Sequence, residues 1–151
     1  MKAPIRLAFL AVLIPVRVSS SLGGDVASVQ TDREHMRGAL RAVTRTEAYA
    51  VHEMRAASGT IVREYVGPSG TVFAVAWQGP WLPDLRQVLG DYFDRYQQAA
   101  RAARARSTGH GPLVVDDPGL FVQIVGHPRA FSGKAYVPQL MPAGVQPESI
   151  R

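Results

Sequence analysis

The chain has 151 residues, enough for one domain; 46% are hydrophobic, and 17 Lys and Arg stand against 12 Asp and Glu, a formal net charge of +5. Cysteine is absent, which excludes disulfides, thiol catalysis, iron–sulfur and cysteine–zinc centres and a lipid-bearing cysteine. Three of the basic residues, Lys2, Arg6 and Arg17, sit near the N-terminus; without them 14 basic residues face 12 acidic ones, a net of +2, too little for a nucleic-acid footprint.

Those N-terminal residues have the order of a secretory signal peptide. Met1-Lys2 and Arg6 supply positive charge, Leu7 to Val16 is apolar, and Ser19-Ser20-Ser21 supplies small residues for cleavage. The apolar run is too short to span a bilayer. The expected organisation is therefore a signal peptide over 1–21 and a single domain over 22–151, with an irregular N-terminal segment and a proline-rich C-terminal tail. A mature chain of this size buries roughly two-thirds of its unfolded surface, so it can fold without disulfides. It is expected to be exported, periplasmic or secreted, with no membrane anchor after cleavage.

Thr31-Asp32-Arg33-Glu34 matches a capping box and predicts a short helix from Asp32 to about Arg37, before Gly38. Ala39 to Thr46 is consistent with an edge strand or an ordered loop. Tyr49–Arg55, Thr60–Val66 and Thr71–Gln78 are rich in β-branched and aromatic residues, and Ala57-Ser58-Gly59 and Gly67-Pro68-Ser69-Gly70 between them have hairpin chemistry. They predict a three-strand antiparallel meander. Phe73, Val75 and Trp77 alternate with Val72, Ala74 and Ala76, so both faces of the third strand are apolar and it is expected to be central.

From Trp81 to Arg106 the apolar period changes to that of a helix: Leu85, Val88, Leu89, Tyr92, Phe93, Tyr96, Ala99, Ala100 and Ala103 fall on one face. Pro83 and Asp84 suit a first turn, Arg101, Arg104 and Arg106 suit a last one, and Gly109 is placed to end it. Beyond it, Leu113–Val115, Leu120–Val125 and Arg129–Val137 read as strands separated by Asp116-Asp117-Pro118-Gly119 and Gly126-His127-Pro128. The predicted fold class is α+β: an antiparallel sheet, a meander of three strands plus two or three C-terminal strands, packed against one long amphipathic helix.

No motif specifies chemistry. His35, His52, His110 and His127 are scattered singly, and His52-Glu53 lacks the second histidine of a zinc-protease helix. Gly109-His110-Gly111 precedes a strand instead of following one, so it is no dinucleotide fingerprint. Ser132-Gly133-Lys134 matches no serine–lysine dyad, and Asp116-Asp117 suit a turn before Pro-Gly. No metal ligand set and no cofactor are expected. The distinctive feature is Trp77-Gln78-Gly79-Pro80-Trp81, with two tryptophans around a tight strand-to-helix turn that serves either to pin the helix or to contact a partner.

Val51-His52-Glu53, the run Ser58 to Val66, the run Gly70 to Pro80, Leu82 to Leu85, Gly111 to Val115, Arg129 to Phe131 and Ala135 to Leu140 carry a resemblance. They are similar to an uncharacterised family of secreted proteobacterial proteins, a domain of unknown function (number 2844). The resemblance implies export in a Gram-negative bacterium and transfers no catalytic residue.

Two functional classes follow. The first, favoured, is a non-catalytic extracytoplasmic binding or interaction module, its partner an envelope protein or a small ligand, with Trp81, Trp77, Gln78, His127 and Arg129 as candidate contacts. The alternative is a small periplasmic hydrolase or transferase drawing on His52, Glu64, His127 and Arg129. Convergence of titratable groups in one pocket would favour the enzyme.

Overall fold

Val72 to Trp77 are buried without exception, and the rest of the molecule is arranged on the two faces of that strand. The computed structural model describes residues 22–25, 29, 39–106 and 111–151. The signal peptide expected over 1–21, the helix expected from Asp32, Gly109 and the histidines His35 and His110 lie outside the described residues.

Seven strands form one sheet: β1 (Ala39–Arg45), β2 (Ala50–Arg55), β3 (Ile61–Val66), β4 (Val72–Gly79), β5 (Leu113–Asp117), β6 (Leu120–His127) and β7 (Ala130–Tyr136). Their order is β1-β2-β3-β4-β7-β6-β5, and every neighbouring pair is antiparallel. The expected α+β architecture and the β2–β4 meander are present. The added strand is β1, the segment left open between strand and loop; it pairs on one side only, with β2, which suits its mixture of arginines and apolar residues.

The alternation read along β4 changes phase. Tyr65 pairs with Ala74 and Val66 with Val72, so Phe73 is an extra residue in a β-bulge. Val72, Val75 and Trp77 therefore share one face with Met54, Val62, Val122 and Ala135, while Phe73 joins Tyr65, Ala74 and Ala76 on the other. Two cores result, one per face.

The first core lies under the helical segment. Its apolar stripe has the expected register: Val88 and Leu89 are fully buried, Tyr96 and Ala100 nearly so, and Leu85, Tyr92, Phe93 and Ala99 pack against them. Full burial of Val88 and Leu89 contributes on the order of 1.5–3 kcal/mol each. The segment is divided into α1 (Leu85–Leu89), a 3₁₀ turn (Gly90–Tyr92) and α2 (Phe93–Arg106). Gly90 is the reason: its φ of 55° and ψ of −128° interrupt the α conformation and are open chiefly to glycine. Asp84 caps α1 from outside the first turn, its Oδ1 accepting the Arg86 N–H at 2.9 Å. Leu22 and Val29 complete this core.

The second core is closed by the C-terminal segment. After β7, two 3₁₀ turns (Pro138–Leu140 and Pro147–Ser149) carry the chain back across the sheet, and Ile150 is buried beside Tyr65, Phe73, Ala74 and Ala76. The Tyr65 hydroxyl donates to the Arg151 carbonyl at 2.8 Å and accepts its N–H at 3.0 Å, and Lys134 Nζ donates to the Pro147 carbonyl at 2.8 Å. The proline-rich tail is thus a strap that covers one face of the sheet.

Candidate functional site

The corner where β4 hands over to α1 is held by the β2–β3 turn. A Cβ on Gly79 would stand 2.5 Å from Thr60 Cα, so only glycine lets the two segments approach this closely. Thr60 is itself buried, and its Oγ1 donates to the Trp81 carbonyl at 2.7 Å. The backbone of Trp81 is tied down while its side chain is not: Trp81 is 57% exposed and Leu82 41%. Two adjacent large apolar side chains face solvent on a fixed turn.

Beside them lies a groove of about 410 Å³. Leu82 to Arg86 form one wall, and Phe93, Tyr96, Gln97, Ala100, Arg101 and Arg104 form the other, so the chain folds back at Gly90 to place α1 alongside α2. The floor is apolar and aromatic. The Arg86 guanidinium lies 4.4 Å from the centroid of the Phe93 ring, and Phe93 contacts Tyr96 with ring centroids 6.1 Å apart. Burial raises the Tyr96 pKa above its ordinary 10.0, and the nearby Arg104 pulls the other way.

The groove holds three guanidiniums and one carboxylate, Asp84, which faces the α1 backbone as its cap. Arg63–Glu53 and Arg95–Asp117 are ion pairs among the described residues, and none of Arg86, Arg101 and Arg104 belongs to either. The wall is therefore positively charged over an apolar floor, an arrangement suited to a ligand with an anionic and an apolar part.

Of the residues singled out in the sequence, four lie at one end of the sheet. Gln78 pairs with Ile61 and Ser132, and Gly79 with Phe131, so the tip of the β6–β7 hairpin lies at the same end as Trp81. His127 and Arg129 are exposed at that tip, where Arg129 adopts a φ of 68° in the two-residue turn after Pro128. Gln78 is exposed on the strap side of the sheet, within a separate trough of about 540 Å³ that includes Tyr49, Arg63 and Tyr65.

Trp77 is corrected as a contact residue. It is 2% exposed and packs over Gly133, its cross-strand neighbour, whose missing side chain leaves space for the indole. Its Nε1 is buried without a hydrogen-bond partner. A partner could touch this residue only if the sheet came apart.

The residues named for an enzyme do not converge. His52 pairs with Glu64 across β2 and β3, on the same face as Met54 and Val62. Glu64 is fully buried, and the His52 pKa is lowered by burial and then by Arg45. A row across the sheet runs His52, Glu64, Val75, Ala135, Val122. His127 lies four strands away and five residues further along, about 25 Å at ordinary sheet spacings. Among the described residues no group of three or more His, Cys, Asp or Glu is placed to hold a metal.

The groove escaped the sequence because it depends on the reversal at Gly90, which brings together residues as far as 22 positions apart, Leu82 and Arg104. A glycine inside an otherwise continuous apolar stripe was the available signal.

No curated protein and no solved structure matches the chain. A family model does, over residues 18–150, and its description is Protein of unknown function (DUF2844). That match spans nearly the whole chain, from the end of the leader-like stretch to the buried Ile150 of the strap, and the chain belongs to this family.

Proposed function

We propose that the chain is an exported, non-catalytic binding module that meets its partner at the Trp81 corner. The carrying observation is the exposure of Trp81 and Leu82 on a turn whose backbone is locked by the Thr60–Trp81 hydrogen bond. Exposed aromatic side chains on a rigid scaffold form good binding anchors, because little conformational freedom is lost when they are covered. The order of charge, apolar run and small residues over 1–21 supports export, with the mature chain beginning at or near Leu22. The separation of His52 and Glu64 from His127 and Arg129 argues for binding over hydrolysis or group transfer.

Affinity capture from an envelope extract tests the reading, with wild type and Trp81→Ala as paired baits. The expected result is a partner held by wild type and lost from the variant, with both baits melting alike. A variant that retains the whole capture set, or that melts far below wild type, refutes a contact role for Trp81. Intact mass of the protein recovered from the bacterial envelope tests export: a full-length mass refutes it.

A further inference from the structure

We propose that the Trp81 corner and the adjoining arginine groove form a docking surface for an anionic phospholipid bilayer. The inference rests on the binding reading above and names the partner.

Three observations point the same way. First, the exposed apolar residues at this corner are of the kind that membrane interfaces accept: Trp81 is an amphipathic ring and Leu82 a large aliphatic side chain, adjacent in the chain. Second, Arg86, Arg101 and Arg104 are exposed around the same groove, outside the ion pairs Arg63–Glu53 and Arg95–Asp117, and opposed there by Asp84 alone. Third, that carboxylate accepts the Arg86 N–H at the N-terminus of α1, so one acidic group already engaged as a cap faces three guanidiniums around the groove. Apolar insertion and cationic attraction are thus combined on one face.

Charge complementarity selects the occupant. A neutral apolar partner would leave three guanidiniums stripped of water and uncompensated, at a high desolvation cost. Lipid phosphates would meet them as Trp81 and Leu82 enter the interfacial layer. The mode is peripheral: among the described residues no helix is long and apolar enough to cross a membrane. Each arginine brought to an anionic surface is expected to strengthen partition roughly fivefold.

The chain has two tryptophans, and Trp77 is already buried, so a change in tryptophan emission on docking reports on Trp81. The experiment is co-sedimentation and fluorescence of the purified protein with vesicles of phosphatidylglycerol and phosphatidylcholine in equal parts, against pure phosphatidylcholine. Binding to the anionic vesicles alone is expected, with a blue shift that Trp81→Phe removes. It should weaken as salt shortens the Debye length from about 10 Å at 0.1 M to about 3 Å at 1 M. The double variant Arg101→Gln, Arg104→Gln changes two exposed residues, so it should melt like wild type while partition falls on the order of thirtyfold.

Equal binding to both vesicles, binding to neither, or full binding by the double arginine variant overturns the proposal. If vesicles fail while Trp81-dependent protein capture persists, the lipid assignment falls and the binding-module reading stands. If vesicles fail and Trp81→Ala captures what wild type captures, both fall.

Discussion

Leu89→Ala tests whether the helical stripe and the sheet make one core. Leu89 is fully buried, in a cluster that includes Val88, Trp77, Tyr96 and Val122. Truncation removes three carbons from a site enclosed on the sheet side by strand residues that cannot easily collapse inward. The lost transfer free energy and the residual cavity together make a loss of about 3.5 kcal/mol. For a domain of this size that corresponds to about 12 °C in Tm. Urea unfolding at unchanged m-value should show the midpoint falling by about 1.5–2 M if m is near 2 kcal/mol/M. The paired control is Gln98→Ala, exposed on α2, expected within about 0.5 kcal/mol of wild type. A loss below about 1 kcal/mol for Leu89→Ala, or equal losses for the two variants, would refute the placement of the stripe.

Other outcomes follow from the same structure. Gly133→Ala puts a Cβ about 2.4 Å from the Trp77 ring and 2.5 Å from the Gln123 carbonyl, so a loss of about 2–3 kcal/mol and altered Trp77 fluorescence are expected; unchanged stability would contradict that packing. Trp81→Ala keeps the backbone carbonyl that Thr60 binds, so its stability should change by less than about 1 kcal/mol in the same urea assay. Tyr65→Phe removes two hydrogen bonds to the Arg151 backbone and should cost about 1–1.5 kcal/mol, with faster hydrogen exchange in residues 145–151 as the structural readout. His52 has a folded-state pKa below its ordinary 6.5, so the unfolded chain binds the proton more readily. Stability is therefore full above about pH 6.5, where His52 is neutral in both states, and is lost as pH falls towards the folded value. His52→Gln should flatten that part of the stability–pH curve, and an unchanged slope would remove His52 as its cause.

Much of the sheet was legible because its signals are local. Ser58-Gly59 and Ser69-Gly70 mark hairpins between β-branched runs, and β2, β3 and β4 follow with boundaries displaced by one residue. β1 was harder, since an edge strand with one paired side needs no sustained apolar alternation. The bulge at Phe73 was illegible because both faces of β4 are apolar, so a slip in phase leaves no polar residue misplaced. The helical stripe was readable through Gly90, since a 3₁₀ turn advances the chain enough to keep Tyr92 and Phe93 against the core. The fold-back at that glycine was not, and the groove went with it. Trp81 was identifiable as a surface residue from its Gly-Pro turn and Trp77 as a buried one from the apolar alternation of its strand; what the alternation did not show is that the indole occupies the space left by Gly133 across the β4–β7 pairing.

The strand order has a kinetic consequence. β1 to β4 form a meander of sequential neighbours, and β5 to β7 form another; the two halves meet only where β4 pairs with β7. Each half closes short loops, whereas the β4–β7 pairing joins Ala76 to Lys134 across 58 positions and must enclose the whole helical segment. Loop-closure entropy makes such pairing slow relative to hairpin formation. Refolding should therefore pass its main barrier as that seam zips shut, so substitutions along it, such as Ala76→Gly or Ala135→Gly, should slow folding, whereas Val43→Ala on the β1 edge should mainly hasten unfolding.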